Sequence, residues 1–175
     1  MPAVDTSPGP RIRPATPDDA AAIAAIYAHY VQHSVATFDL TAPDAAWWTA
    51  KIADLTAAGW PFLVAEDEGA PVGFAYVAPW RVKPAYRQTV EDTIYLAPER
   101  TGRGIGRALL GALLDAARTA GARQVIAVVA DGGDESSVRL HGAFGFREAG
   151  RLRAVGFKHG RWLDTLLLQA DLTGG

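Results

Sequence analysis

The stretch "ERTGRGIGRALL", residues 99–110, alternates glycines with arginines and then passes into an apolar helical pattern. Ile105, Leu109, Leu110, Leu113, Leu114 and Ala117 recur at helical spacing, and Gly121 closes the pattern. Just before it, "TVEDTIYLAP" (89–98) alternates, is rich in β-branched residues and stops at Pro98. The unit is therefore strand, glycine loop, helix. The first N–H groups of a helix have no partner within it and carry the positive end of its dipole. Gly102, Gly104 and Gly106 leave that backbone open to close approach, and Arg103 and Arg107 flank it. Such a cradle suits a phosphate. A P-loop is excluded because no Gly-Lys-Ser/Thr occurs, and a dinucleotide fingerprint fails because Arg107 stands at its third glycine. A turn that needs glycine for conformation alone remains equally open at this point.

Working outward, Ile12–Pro14 is a short strand. Thr16-Pro17-Asp18-Asp19 opens a helix with Thr as N-cap, carrying Ile23, Ile26, Tyr27 and Tyr30. A second helix runs from Pro43-Asp44 through Trp47, Trp48, Ile52 and Leu55 to Gly59. Phe62–Glu66 and Val72–Ala78 form a hairpin around residues 67–71. Beyond the glycine-led helix, "QVIAVVA" (124–130) is continuously apolar and is expected to be buried on both faces. A short helix follows over Glu135–Phe144, then strands near Arg147–Val155 and Trp162–Gln169. The order of elements predicts one α/β domain over residues 11–172, a mixed sheet flanked by helices, after a flexible leader over residues 1–10.

The 175 residues suffice for one domain with a sizeable core. The absence of cysteine excludes disulfides, thiolate metal sites and a Cys nucleophile, and fits a cytoplasmic setting. A net charge of −2 gives no basic excess for nucleic acid, no apolar run reaches a membrane span, and residues 1–10 lack the pattern of a signal peptide. His29, His33 and His159 show no metal-ligand spacing.

The glycine loop resembles the acetyl-CoA pyrophosphate motif of the GCN5-related N-acetyltransferase superfamily, (Q/R)xxGxG/A. The resemblance runs from Ile12 to Asp171. Five further blocks resemble the phosphinothricin and methionine sulfoximine acetyltransferase branch: "VATFD" (35–39), "WRVKPAY" (80–86), "TVEDTIYL" (89–96), "SVRLHGAFGF" (137–146) and "GFKHGRWLDTLLLQ" (156–169). Thr101 departs from the motif's Gln or Arg, and Asp134 stands where Asn is usual.

The resemblance implies a mostly antiparallel sheet with a V-shaped splay between the fourth and fifth strands. It implies acetyl-CoA as cosubstrate, no metal, and direct transfer to an amine through a tetrahedral intermediate. The amine must be neutral to attack, and the developing oxyanion needs a donor. Glu91 is the implied base, and His141 the second catalytic candidate, as acid, base or site lining. Strand neighbours face opposite ways, so Asp92 cannot share Glu91's role and reads as structural. The implied cosubstrate contacts are Tyr95, Leu96, Thr101, Gly102, Arg103, Gly104, Ile105, Gly106, Arg107, Asp134 and Ser137, with a backbone N–H near Leu96 as oxyanion donor. For the acceptor they are Phe38, Trp80, Arg81, Lys83, Tyr86, Thr89 and Val90, with Arg81 as carboxylate clamp. Lys83 stands where close relatives have Arg. The expected acceptor is a small amino acid analogue such as phosphinothricin, methionine sulfoximine or methionine sulfone, taken at its α-amino group by a homodimer. Alternatives are acetylation of another small amine, a polyamine or a protein N-terminus, and a non-catalytic acyl-CoA-binding regulatory module.

Overall fold

The computed structural model describes residues 9–132 and 135–174. Most of the expected leader, residues 1–8, and the expected cosubstrate contact Asp134 lie outside the described residues. In chain order the elements are β1 (Arg11–Pro14), α1 (Ala20–His33), α2 (Ala45–Ala57), β2 (Phe62–Asp67), β3 (Ala70–Pro79), β4 (Thr89–Leu96), α3 (Ile105–Thr119), β5 (Gln124–Ala130), α4 (Ser136–Gly142), β6 (Arg147–Lys158) and β7 (Arg161–Asp171). They build one seven-stranded sheet in the order β1-β2-β3-β4-β5-β7-β6. Every pairing is antiparallel except β4 with β5.

Local chemistry sets most of the boundaries. Thr16 and Asp19 form a capping box around a 3₁₀ turn (Pro17–Asp19) that leads into α1. The buried Asp19 is balanced by Arg13, whose two terminal nitrogens each lie 2.8 Å from its oxygens. That partner holds the Asp19 carboxyl below the usual carboxylate range. Asp44 caps α2 by accepting the Trp47 N–H at 2.8 Å. The β2–β3 turn is tighter than the sequence suggests. Glu68 and Gly69 have φ of 51° and 80°, and two left-handed residues match the twist of the flanking strands.

The sheet carries a core on each face. The apolar stripe of α3, with Leu109, Leu110 and Leu113 fully buried, packs on Val77, Val90 and Val125. On the other face α1 and α2 set Ile23, Tyr27 and Trp48 over Phe62, Val64 and Phe74. At roughly 1.5–3 kcal/mol per buried large side chain, these two layers are the main term holding the sheet.

Pairing between β4 and β5 is confined to Thr89–Glu91 against Gln124–Ile126, after which the strands part. This corrects the expectation for β5. Its first half is buried on both faces, but Val128 is 37% exposed, because the splay removes its neighbour strand. β6 is one edge of the sheet and β1 the other; β6 has irregular register between Leu152 and Gly156 and a left-handed Ala154.

Candidate active site

The parting of β4 and β5 opens a cleft of about 910 Å³ through the sheet. It is lined by both strands, the loop after α1, the glycine loop and α4. Past Glu91 and Ile126, backbone groups of the two strands that would complete a ladder have no partner across the gap. A ligand carrying amides would pair with them as a missing strand does.

At one end stands the glycine loop. Gly102 and Gly104 have φ of 74° and 78°, a region that glycine enters without strain. Gly104 is the N-cap of α3, and its carbonyl accepts the Ala108 N–H at 3.1 Å. The N–H groups of Ile105, Gly106 and Arg107 are thus the first-turn donors left without helical acceptors. A Cβ added at Gly104 would meet nothing within 4 Å, so the space above it is open. Thr101, Gly102, Gly104, Gly106 and Arg107 line the cleft, whereas Arg103 does not, and Ile105 buries its side chain in the core. The Thr101 hydroxyl donates to Pro98 O at 3.2 Å. Arg100 is tied to Asp67 by an ion pair and faces away.

Alternation along β4 divides the central residues. Glu91, Thr93 and Tyr95 face α1 and α2; Val90, Asp92 and Ile94 face α3 and α4. Glu91 is half-buried and lines the cleft. Burial holds its proton affinity above the ordinary carboxylate value, the like charge of Asp92 adds to this, and Arg81 and Lys51 oppose it. Val90, expected as an acceptor contact, does not line the cleft. It is fully buried in the α3-side core, because it points opposite to Glu91.

Asp92 reaches across to α4, where His141 Nε2 lies 2.8 Å from its Oδ2. His141 Nδ1 lies 2.8 Å from the Ser137 carbonyl, and the Ser137 hydroxyl is nearby at 3.4 Å. The ring is 2% exposed and packs edge-on to Phe146. Burial by itself disfavours the imidazolium, but the Asp92 carboxylate and the Ser137 carbonyl outweigh it and hold His141 above its ordinary value. A protonated ring satisfies both partners at once, since each nitrogen then donates. Asp92 Oδ1 is buried without a hydrogen-bond partner among the described residues.

On the Glu91 side the mouth is framed by the loop Val35–Asp39. Lys158 Nζ donates to Thr37 O at 2.7 Å, and the Tyr95 hydroxyl donates to Ala36 O at 3.1 Å. Tyr27 donates to Asp39 at 2.7 Å. Phe38 lies over Gly156, where an added Cβ would fall 2.2 Å from its ring. The 80–86 loop sits at the rim. Arg81 stacks on Trp80 at 4.5 Å, Tyr86 is 44% exposed, Lys83 is exposed, and none of the four lines the cleft. Arg81 is nevertheless close enough to act on the Glu91 charge, whereas no such coupling joins Lys83 to it. Thr89 belongs to the closed, paired end of β4.

Sequence reading missed Lys51, His33, His159 and Arg161, the last three lining the cleft. Lys51 had a signal: a cation three residues after the buried Trp48, inside the apolar stripe of α2. The others stand at the last position of α1 (His33), in the β6–β7 turn (His159) and at the first position of β7 (Arg161).

The pattern of the Acetyltransferase (GNAT) family matches residues 23–146, well over half of the chain. The chain is 45% identical over 164 residues to phosphinothricin N-acetyltransferase of Alcaligenes faecalis, covering 94% of this chain and 83% of that one. It is 37% identical to the L-methionine sulfoximine/L-methionine sulfone acetyltransferase of Salmonella typhimurium, covering 92% and 94%. The crystal structure of a phosphinothricin acetyltransferase from Sinorhizobium meliloti, in complex with acetyl-CoA, superposes with a TM-score of 0.91 at 44% identity, covering 96% and 91%. The chain belongs to the GNAT acetyltransferase family.

Proposed function

We propose that this GNAT acetyltransferase transfers the acetyl group of acetyl-CoA directly to the α-amino group of a small amino acid analogue of the phosphinothricin, methionine sulfoximine or methionine sulfone type. The observation that carries this is the setting of Glu91: a half-buried carboxylate beside the splay, with two cations acting on its charge and no ion pair of its own among the described residues. Relatives named for these acceptors cover nearly the whole chain and support the reading.

The residues present fit acetyl-CoA. The N–H groups of 105–107 offer an anion cradle with open space above Gly104, and Arg107 adds charge. The unpaired strand edges of β4 and β5 offer partners to pantetheine amides, with Ser137 at the side. When bound, the thioester supplies the activated acetyl group. The protein's own share is then threefold. Glu91, with its proton affinity raised by burial, takes a proton from the incoming ammonium, directly or through one water. A backbone N–H near Leu96 donates to the developing oxyanion. Arg81 holds the acceptor's α-carboxylate.

His141 holds a proton rather than trading it. Both its nitrogens are engaged and the ring is almost wholly buried, so its proton is held between Asp92 and the Ser137 carbonyl at the back of the cleft. The enzyme works as a homodimer that covers the apolar C-terminal hairpin, where Leu152, Val155, Phe157 and Trp162 are all about half or more exposed.

The test is thiol release from acetyl-CoA with a panel of amines. Methionine sulfone and phosphinothricin should be acetylated, and the sulfone's counterpart lacking the carboxylate should be a poor acceptor. Equal use of the carboxylate-free amine, or a preference for a peptide N-terminus, overturns the acceptor assignment. No thiol release with any amine points to a binding module.

A further inference from the structure

Lys51 does not itself line the cleft, but it stands over Tyr76, which does. Its ammonium lies 5.4 Å from the centre of the Tyr76 ring and 5.8 Å from that of Trp47, one helical turn back along α2. Tyr76 is paired in register with Thr93, and Ala78 with Glu91. Side chains of one register pair share a face, as do alternate residues, so Tyr76, Thr93 and Glu91 lie on the same face of the sheet. Lys51 therefore projects from α2 over the face that carries the catalytic carboxylate.

Three observations say what it is there for. Its ammonium lies over two aromatic rings, so it is placed in advance and little freedom is lost when it binds. Among the described residues it makes no hydrogen bond and no ion pair; Glu91 feels its charge without closing on it. Arg81, which also acts on the Glu91 charge, is likewise placed over a ring, Trp80, and likewise has no carboxylate partner among the described residues. Both cations act on the charge of Glu91, and the other anion that acts on it, Asp92, is paired with His141. A simple amine, positively charged, meets an excess of like charge there. An amino acid with a second acidic group brings one ammonium and two anions, the inverse pattern.

We propose that Lys51 is a specificity residue whose ammonium binds the acidic side-chain group of the acceptor, so that the site selects amino acids carrying a second anion, a phosphinate for example, over those with a neutral polar side chain. This rests on the acceptor reading above, in which Glu91 faces the ammonium and Arg81 the α-carboxylate.

The experiment measures KM and kcat for phosphinothricin, whose side chain is anionic, and for methionine sulfone, whose side chain is neutral. The enzymes are wild type, Lys51→Met and Lys51→Arg. A charge-assisted contact of ordinary strength predicts that Lys51→Met raises the KM ratio of phosphinothricin to sulfone by about tenfold or more, with Lys51→Arg restoring most of it. The sulfone reaction also reports that the variant is folded. A KM ratio that stays at the wild-type value in Lys51→Met overturns the proposal while leaving the acceptor class intact. Acetylation by the wild type of carboxylate-free amines but of neither amino acid is a different result: it overturns the acceptor reading, and the role of Lys51 falls with it.

Discussion

Asp92 and His141, 49 residues apart in the chain, face each other at 2.8 Å with their side chains 1% and 3% exposed. The contact ties α4 to the central strand at the back of the cleft. Asp92→Asn keeps the shape and removes the charge. It is expected to cost about 1–3 kcal/mol of stability, the range for weakening a buried charged hydrogen bond.

That cost has a defined pH dependence. His141 is raised above 6.5 in the folded protein, so its contribution is fully present below the unfolded value and is lost as pH rises through the folded one. The stability gap between wild type and Asp92→Asn should be widest at pH 6 and below, and should shrink on the alkaline side. Urea unfolding at a series of pH values measures it; a gap that widens with pH would mean that the pair is not an imidazolium–carboxylate pair.

Glu91→Gln should lower kcat by about 10²- to 10⁴-fold, the usual range for a lost general base, with the acetyl-CoA KM little changed. In the wild type the acid limb of kcat/KM should lie above 4.5, the ordinary carboxylate value, since burial raises Glu91. Unaltered turnover in Glu91→Gln across the pH range would make Glu91 a structural residue.

Gly104→Val acts on the other end of the cleft. The left-handed backbone at 78° disfavours a branched residue by about 1–2 kcal/mol, and the new side chain fills the open space above the first turn of α3. A higher acetyl-CoA KM is expected, with the acceptor KM nearly constant. Retention of the wild-type acetyl-CoA KM by a folded variant removes the cradle assignment.

Gly156→Ala separates the acceptor mouth from the cosubstrate site. Its Cβ would fall 2.2 Å from the Phe38 ring, so the ring or the loop must move. The acceptor KM should rise several-fold and the acetyl-CoA KM should not. Equal changes in both would place Phe38 outside the acceptor pocket.

Light scattering tests the assembly. A homodimer gives twice the 18.5 kDa of one chain, and Trp162→Glu should shift the population toward the monomer. A single-chain mass at working concentration leaves the apolar hairpin uncovered and refutes the dimer.

What the sequence determined by itself is whatever short-range physics writes into neighbouring residues. The period of Leu109, Leu110, Leu113 and Leu114 makes α3, and the glycines before it set a left-handed N-cap with open N–H groups. The alternation of "TVEDTIYL" makes β4 and places Glu91 and Asp92 on opposite faces. The resemblance of its blocks to a known branch carried the rest of the fold. Only the tertiary structure decided the encounters between distant segments. The partner of Asp92 is a histidine on α4, Lys51 lies over Tyr76 from α2, and Gly156 makes room for Phe38. The exposure of Val128 follows from where β4 and β5 part, and the seclusion of Val90 from which layer covers its face. Periodicity and turn chemistry act over a few residues, within reach of the chain's own stiffness. Contacts between residues tens of positions apart depend on how the sheet and its two helical layers close around them, and no local pattern of residue types encodes that closure.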